Sequence, residues 1–425
     1  MDNYYVASAG PAPQRPALSG ALDAEVCIVG AGFAGLATAY GLLQRGVKDV
    51  VVVEAEQVAH GASGRNGGFV FGGYSLDCAD LLAQQGPERA RAMYGLTRQA
   101  VDLIRRRIAD EAIDCDAVEG GALLANWFDD DAILQRQQRL MAEGFGVTWR
   151  TVTRDEMPQW VRTRRYTAGL VELDAFHFHP LKYARGLAAA IERRGGRILE
   201  RSPVVALERR GAGHRVLARG GHVDARQVVV TAGGYLQGGV APPLERAMLP
   251  IATYVMATEP LGAERLAAHI PSRAAIYDTR FAFDYYRPLP DTRILWGGRI
   301  SIRDRRPEDI ARFLKADMLK VFPDLADTPV AYAWGGLMSY ARHKMPQIGR
   351  LPDGTWHALG FGGHGVAPTT AAGEVLADAV SGRAPVPAGF ADYGLPRVWG
   401  HAGRLAAQAT YSWAETRDWW NDSRR

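Results

Sequence analysis

The chain has 425 residues, of which 47% are hydrophobic and 23% charged, and a formal net charge of +4. This length allows two or three domains, the composition is that of an ordinary globular protein, and no basic excess calls for nucleic acid. No apolar run approaches the ~20 residues that span a bilayer, and three cysteines with no C-x-x-C pair exclude a disulfide framework.

The first 22 residues are rich in Pro, Ala and Ser and lack the charged and apolar regions of a signal peptide. They read as an N-terminal extension, and with the cysteine usage they imply a cytoplasmic protein. The run Glu25-Val26-Cys27-Ile28-Val29 then predicts a strand, with Cys27 as a buried small hydrophobe. It enters Gly30-Ala31-Gly32-Phe33-Ala34-Gly35 and an apolar helix, and Val50-Val51-Val52-Val53 ends on Glu54. This is G-x-G-x-x-G in the strand–turn–helix context that binds an adenine dinucleotide. Gly30 permits the tight turn, Gly32 lets a pyrophosphate reach the backbone, and Gly35 lets the helix pack on the strand. Phe33 and Ala34 open the helix, whose N-terminus faces the phosphates. Glu54, followed by Ala55, lies 24 residues beyond Gly30, near the ~20 expected for the acid that binds the ribose.

Met93, Leu96, Ala100, Leu103, Ile104 and Ile108 recur at helical spacing, and Arg105-Arg106-Arg107 reads as a solvated face. Pro180 opens another helix that stops at Gly195-Gly196. Short strands follow around Ile198, Val204–Leu207, Val216 and Val223, then Val228-Val229-Val230, ending at Thr231-Ala232-Gly233-Gly234. From 250 to 340 the strand-like runs carry aromatics, among them Phe281-Ala282-Phe283-Asp284-Tyr285-Tyr286, Ile294-Leu295-Trp296 and Tyr332-Ala333-Trp334, with a helix at 307–321 between them. Trp356-His357-Ala358-Leu359 precedes a second G-x-G-x-x-G, Gly360 to Gly365, and a helix follows from Pro368 to Ala379. No acid ends a second strand ~20 residues on, and Pro385 and Pro387 oppose a central strand there. The second loop is therefore not a nicotinamide site; it aims a helix N-terminus at another part of the same cofactor.

With both loops placed, four stretches carry a resemblance: Gly30 to Glu54, Gly61-Ala62-Ser63-Gly64-Arg65-Asn66-Gly67-Gly68, His177-Phe178-His179-Pro180, and Met345 to Arg350 with the 360–365 loop. The chain resembles the FAD-dependent D-amino-acid-oxidase superfamily and, within it, amine oxidoreductases of the gamma-glutamylputrescine oxidase type. The resemblance implies an α/β (α+β) fold, with a glutathione-reductase-like Rossmann domain for FAD interleaved with a mixed-sheet substrate domain. The FAD domain would take 23–75, 181–245 and 342–385, and the substrate domain 76–180 and 246–341, leaving 386–425 as a tail. Gly30, Gly32, Gly35 and Glu54 would hold the ADP half of FAD. Ser63, Gly64, Arg65, Asn66 and Gly67 would approach the pyrophosphate and flavin, and Val205 the adenine. Ala232 and Gly233 would line the ribityl region, while Gly362, Gly363, His364, Gly365 and Val366 would bracket the isoalloxazine. The tethering cysteine of sarcosine oxidases is replaced by Trp334-Gly335-Gly336, and Arg65 stands where other relatives carry a tethering histidine. Non-covalent FAD is expected.

The implied chemistry is hydride transfer to flavin from the carbon beside an amine, with O2 or another acceptor as oxidant. Tyr285 and Arg287 share a face if they lie on a strand. Arg287 would fork a substrate carboxylate, or else pair with Asp284 at a domain seam. His177, His179, His364 and Arg65 are further candidates for the site, His177 and His179 with a helix-entry role as the alternative. Trp296 and Trp334 are either pocket wall or core. A gamma-glutamylputrescine-like primary amine is the first substrate reading. A secondary amine or amino acid is the second, and a non-catalytic FAD-binding protein the third. Substrate stereochemistry, acceptor and oligomeric state are not encoded in these motifs.

Overall fold

A computed structural model describes residues 3–423. Among them, two eight-stranded sheets and a two-stranded ribbon carry the chain. The first sheet runs in the order Gln347–Arg350, Trp356–Leu359, Gly221–Val230, Gly20–Val29, Val50–Val53, Arg197–Leu199, with Gly213–Ala218 and Val204–Arg210 continuing from Gly221–Val230. Its central strands pair in parallel and are buried on both faces, which accounts for the unbroken apolar runs at 26–29, 50–53 and 228–230. Val29 lies beside both Val53 and Val230, so three strands end at one edge. There Gly30 N donates to Val53 O and Thr231 N to Val29 O.

The strand expected to start at Glu25 starts at Gly20, because residues 20–24 find partners at 221–225. The N-terminal segment is not a loose extension. Its helix α1 (Tyr4–Ser8) is capped by the Asn3 side chain, and Arg15 is buried against Glu192 and Glu200. Helix α2 (Phe33–Gln44) follows the first glycine turn, and α3 (Val366–Val380) follows the second. The two cross so closely that a Cβ on Gly373 would meet the backbone of Ala37 at 2.7 Å. The long helix Cys78–Asp110 bends at Gly86–Pro87 and buries Met93, Ala100 and Ile104 as its spacing predicts. Arg107 departs from the expected solvated face: it is buried, pairs with Glu374 and lies over the Tyr40 ring.

The second sheet runs Val330–Tyr340, Leu249–Thr258, Ile294–Ser301, Tyr285–Pro288, Ala275–Asp278, Ala122–Ala125, Gly169–Glu172, Arg150–Val152. It is antiparallel except where Ala275–Asp278 meets Ala122–Ala125, giving the mixed sheet of the expected α/β class. Helix Pro307–Val321 covers it, and Trp296 stacks on Tyr286 at 4.4 Å inside that core, so Trp296 is core and not pocket wall. Residues 281–284 are not strand. Asp278 accepts from the backbone N–H groups of Arg280 and Asp284 and pairs with the Arg280 guanidinium, which turns the chain before Tyr285. The tail also folds: α4 (Gly400–Asp422) lies along the second sheet.

The glycine contact between α2 and α3 yields a test. Gly373→Ala must push the helices apart, an overpacking worth about 1–3 kcal/mol. Urea unfolding should show a lower midpoint at unchanged slope; an unaltered midpoint would mean the crossing is slack.

Candidate functional site

A cleft of about 1410 Å3 starts at the edge where the three parallel strands end and runs between the two sheets to α4. Two helix N-termini reach it. The first residues of α2, Phe33 and Ala34, and of α3, Val366 and Ala367, line its wall. Neither helix has an acidic residue in its first turn or a side-chain cap on its N-cap glycine, so both positive dipole ends are left for a ligand. Gly30 sits at φ +105°, and Glu54 closes the turn, accepting from Ala31 N at 2.7 Å and Glu56 N at 3.0 Å. Ser63 Oγ accepts from Phe33 N at 2.9 Å. A Cβ on Gly32 would meet only Ser63, so this position opens on the cleft and not on the core.

The loop after the second parallel strand is tied down by Asn66, which donates to Ala62 O and Ser63 O and accepts from Gly68 N. Arg65 lines the cleft while donating to His60 O and Gly335 O, and its own carbonyl accepts from Trp334 Nε1. Trp334 is thus a support behind Arg65 and not a wall. Tyr285 does reach the cleft. Its ring occupies the room that Gly67 and Gly297 leave, since a Cβ on either would collide with it. Phe69, Phe71 and Tyr277 continue the aromatic wall. At the second glycine loop Ser75 Oγ donates to Phe361 O and accepts from His364 N. The His364 ring bonds Phe71 O at 3.2 Å, and burial pushes its pKa down to about 4, so it is a neutral clamp between two loops. Ala55, Ala232, Gly233, Gly362, Gly363 and Gly365 also line the cleft.

Six expected site residues lie outside the lining. Gly35 and Gly64 shape it from behind, because a Cβ would strike Gly30 O or Ala59 O respectively. Val205 is exposed, and Pro203 and Val204 take its place at the cleft. Arg287 is buried and neither forks into the cleft nor pairs with Asp284, whose partner is Arg280. Its guanidinium donates to Gly67 O, Phe178 O, Tyr5 Oη and His177 Nδ1 at 2.7–3.3 Å. His177 is held behind it, bonding Arg273 O through Nε2 at 2.9 Å. His179 caps the helix Pro180–Arg193, accepting from Lys182 N. The sequence reading missed Ser75, Thr253, Tyr340, Lys344, Trp399 and Tyr411, which line the cleft from two bends, two isolated strand positions and the tail, with no motif to mark them.

The family model described as DAO, FAD dependent oxidoreductase, matches residues 25–379. The chain is 34% identical over 382 residues to gamma-glutamylputrescine oxidoreductase of Escherichia coli K12, spanning 90% of this chain and 89% of that one. It is 30% identical over 405 residues to the probable oxidoreductase OrdL of Haemophilus influenzae, spanning 94% and 92%. Glycine oxidase from Geobacillus kaustophilus shares the fold, with a TM-score of 0.72 at 19% identity over 88% of this chain and 99% of that one. The chain belongs to the DAO family of FAD-dependent oxidoreductases. FAD is its cofactor; the paired helix N-termini and the open Gly32 suit its pyrophosphate dianion, and the Glu54 carboxylate suits a ribose hydroxyl donor.

The environment of His177 sets a pH test. Because Arg287 donates to Nδ1, the proton sits on Nε2. Burial, with Arg287 second, pushes its pKa down to about 3, against about 6.5 in an unfolded chain. Below 6.5 the unfolded state takes up a proton that the folded state refuses. This residue's share of stability is therefore intact above 6.5 and lost as pH falls, by about 1.4 kcal/mol per pH unit. His177→Gln keeps an acceptor toward Arg287 and a donor toward Arg273 but cannot titrate. Between pH 6 and pH 4 its unfolding free energy should fall less steeply than that of the wild type by about that amount. Parallel curves would show that the imidazole titrates normally in the fold.

Proposed function

We propose that the chain oxidises the carbon–nitrogen bond of a primary amine of the gamma-glutamylputrescine type. The observation that carries this reading is the 34% identity to the E. coli gamma-glutamylputrescine oxidoreductase along nine-tenths of both chains. The first sheet with α2 and α3 would be the cofactor half and the second sheet the substrate half. Gly30, Gly32 and the N-terminus of α2 would take the pyrophosphate, Glu54 the ribose, and the 62–67 and 362–366 segments the flavin end. Bound FAD supplies a hydride acceptor for the carbon next to the amine nitrogen, and the imine released hydrolyses to an aldehyde and ammonia. The aromatic wall of Phe69, Phe71, Tyr277 and Tyr285 would limit water around the reacting carbon, and the desolvation would favour the neutral amine that gives up hydride. Non-covalent FAD is supported by the absence of any cysteine from the cleft lining among the described residues and by the engagement of His364 Nε2 by Phe71 O, which leaves His60 as the one other lining histidine that a tether would have to use. The three unpaired cysteines fit a cytoplasmic enzyme.

An amino-acid substrate would need a cation for its carboxylate. Arg287 is committed to four acceptors and Arg65 to two carbonyls, but Arg342, Lys344 and Arg417 also line the cleft with no ion pair among the described residues, so the preference for the primary amine rests on the sequence identity alone. Anaerobic mixing with a panel of amines should bleach the bound flavin at least tenfold faster with gamma-glutamylputrescine than with glycine, sarcosine, proline or D-alanine. Faster bleaching by an amino acid would reverse the order of the two readings, and no bleaching by any of them would favour a non-catalytic role.

Gly32→Val tests the cofactor assignment separately. Its side chain enters the cleft, so the variant should keep the far-UV circular dichroism of the wild type and purify colourless. Acid precipitation of the wild type should leave the yellow flavin in the supernatant. Wild-type flavin content in Gly32→Val would refute the pyrophosphate site, and yellow pelleted protein would refute non-covalent binding.

A further inference from the structure

The outer face of α4 is unlike the rest of the surface. Leu405, Trp413 and Trp419 are 64%, 71% and 66% exposed. At the ~100° per residue of a helix they fall within an arc of about 120°. The arc also holds Ala402, Ala409, Ser412, Thr416, Trp420 and Ser423, all exposed and uncharged, with the exposed His401 at its edge. The helix is nonetheless firmly seated on its opposite side, where Tyr411, Ala414 and Asp418 are buried. Its carboxylates all turn toward the body: Glu415 to Arg299, Asp418 to Ala282 N, and Asp422 to Arg165. No carboxylate remains on the outer face. Among the exposed charges near it cations predominate, with the carboxylate of Asp304 standing between Arg303 and Arg305. Arg397 and Arg417 flank the helix, and Arg342 and Lys344 stand with Arg417 along the cleft, none of the four in an ion pair among the described residues. In the sequence, Arg424-Arg425 follow the helix.

Exposed tryptophans on a helix face with a cationic border fit the boundary between headgroups and acyl chains, where an amphipathic ring meets apolar and polar surroundings at once. A second copy fits less well. The helix is ~34 Å long and ~10 Å across, so two such faces would bury roughly 700 Å2 in total, short of the ~1,200 Å2 of a stable interface. A protein partner of matching charge would meet the same shortage. We propose that α4 seats the protein on an anionic phospholipid surface, with its outer face at the level of the acyl-chain boundary and its arginines among the headgroups. Because Ala406, Thr410 and Arg417 of the same helix line the cleft, that seating places one end of the cleft at the lipid surface. No helix among the described residues is long and apolar enough to cross a membrane, so the attachment is peripheral.

The test is sedimentation of the full-length, flavin-loaded protein with sucrose-loaded vesicles. Most of the protein should pellet with equimolar phosphatidylglycerol and phosphatidylcholine at low salt, and much less with phosphatidylcholine alone or at high salt. The variant Trp413→Ser/Trp419→Ser should bind the anionic vesicles at least tenfold more weakly, with wild-type flavin content and circular dichroism. Absence of binding, equal binding by the two lipid compositions, or undiminished binding by the variant would each overturn the proposal. So would a dimer in light scattering that the variant disperses, because the face would then be covered by a second copy.

Discussion

The site depends on a buried cation that has no carboxylate partner among the described residues. Arg287 leaves the second sheet and ends among Gly67 O, Phe178 O, Tyr5 Oη and His177 Nδ1. These acceptors belong to the loop at the cleft, to the chain entering the helix Pro180–Arg193, to α1 and to the two-stranded ribbon. A guanidinium removed from water is stable only when acceptors replace its hydration, and each charge-assisted bond contributes about 1.5–3 kcal/mol. No one of these segments can move without stranding a donor. The constraint reaches the cleft two residues away: Tyr285 is on the same strand and lies in the space left by Gly67, whose carbonyl Arg287 holds.

The same arrangement explains why His177 is neutral. An imidazolium beside Arg287 would add a second buried charge where only lone pairs are wanted, so the ring serves as an acceptor and relays a hydrogen bond to Arg273 O. The opposite solution operates at the end of the second sheet. There Arg280 lies between Asp278 and Asp284 and over the Trp127 ring, a buried cation neutralised by carboxylates. Burial still pushes Asp284 up to about 7, against the pull of Arg280. One seam is built on carbonyl dipoles and the other on full charges.

What was legible in the sequence was what is local. The turn from Val29 to Gly35 fixes its own geometry, and Glu54 follows on the next strand, so residue spacing alone located them. The helices at 180–193 and 307–321 were readable from proline starts and apolar spacing. The shared face of Tyr285 and Arg287 was also readable, since alternation along a strand requires it. Their different destinations were not, because they depend on Gly67, Phe178 and Tyr5, residues far away in the chain. Arg107 was read as solvated for the same reason: its partner Glu374 is 267 residues distant. The tail shows no motif, and its place on the cleft emerges only from the packing of Tyr411 and Ala414.

The interleaving has a consequence for biosynthesis. The first glycine turn leaves the ribosome 332 residues before Gly362, an interval of tens of seconds at about 5–20 residues per second. During much of it the valine-rich strands Gly20–Val29 and Val50–Val53 lack Gly221–Val230, and their open backbone edge invites pairing with other chains. If the flavin lies between both glycine loops as proposed, it cannot be held at this stage, because α3 has not been made, and its capture belongs to the completed polypeptide. The nascent chain must be kept from aggregating by something other than its own ligand, and raising riboflavin supply during expression would rescue fewer molecules than slowing translation or adding a holdase.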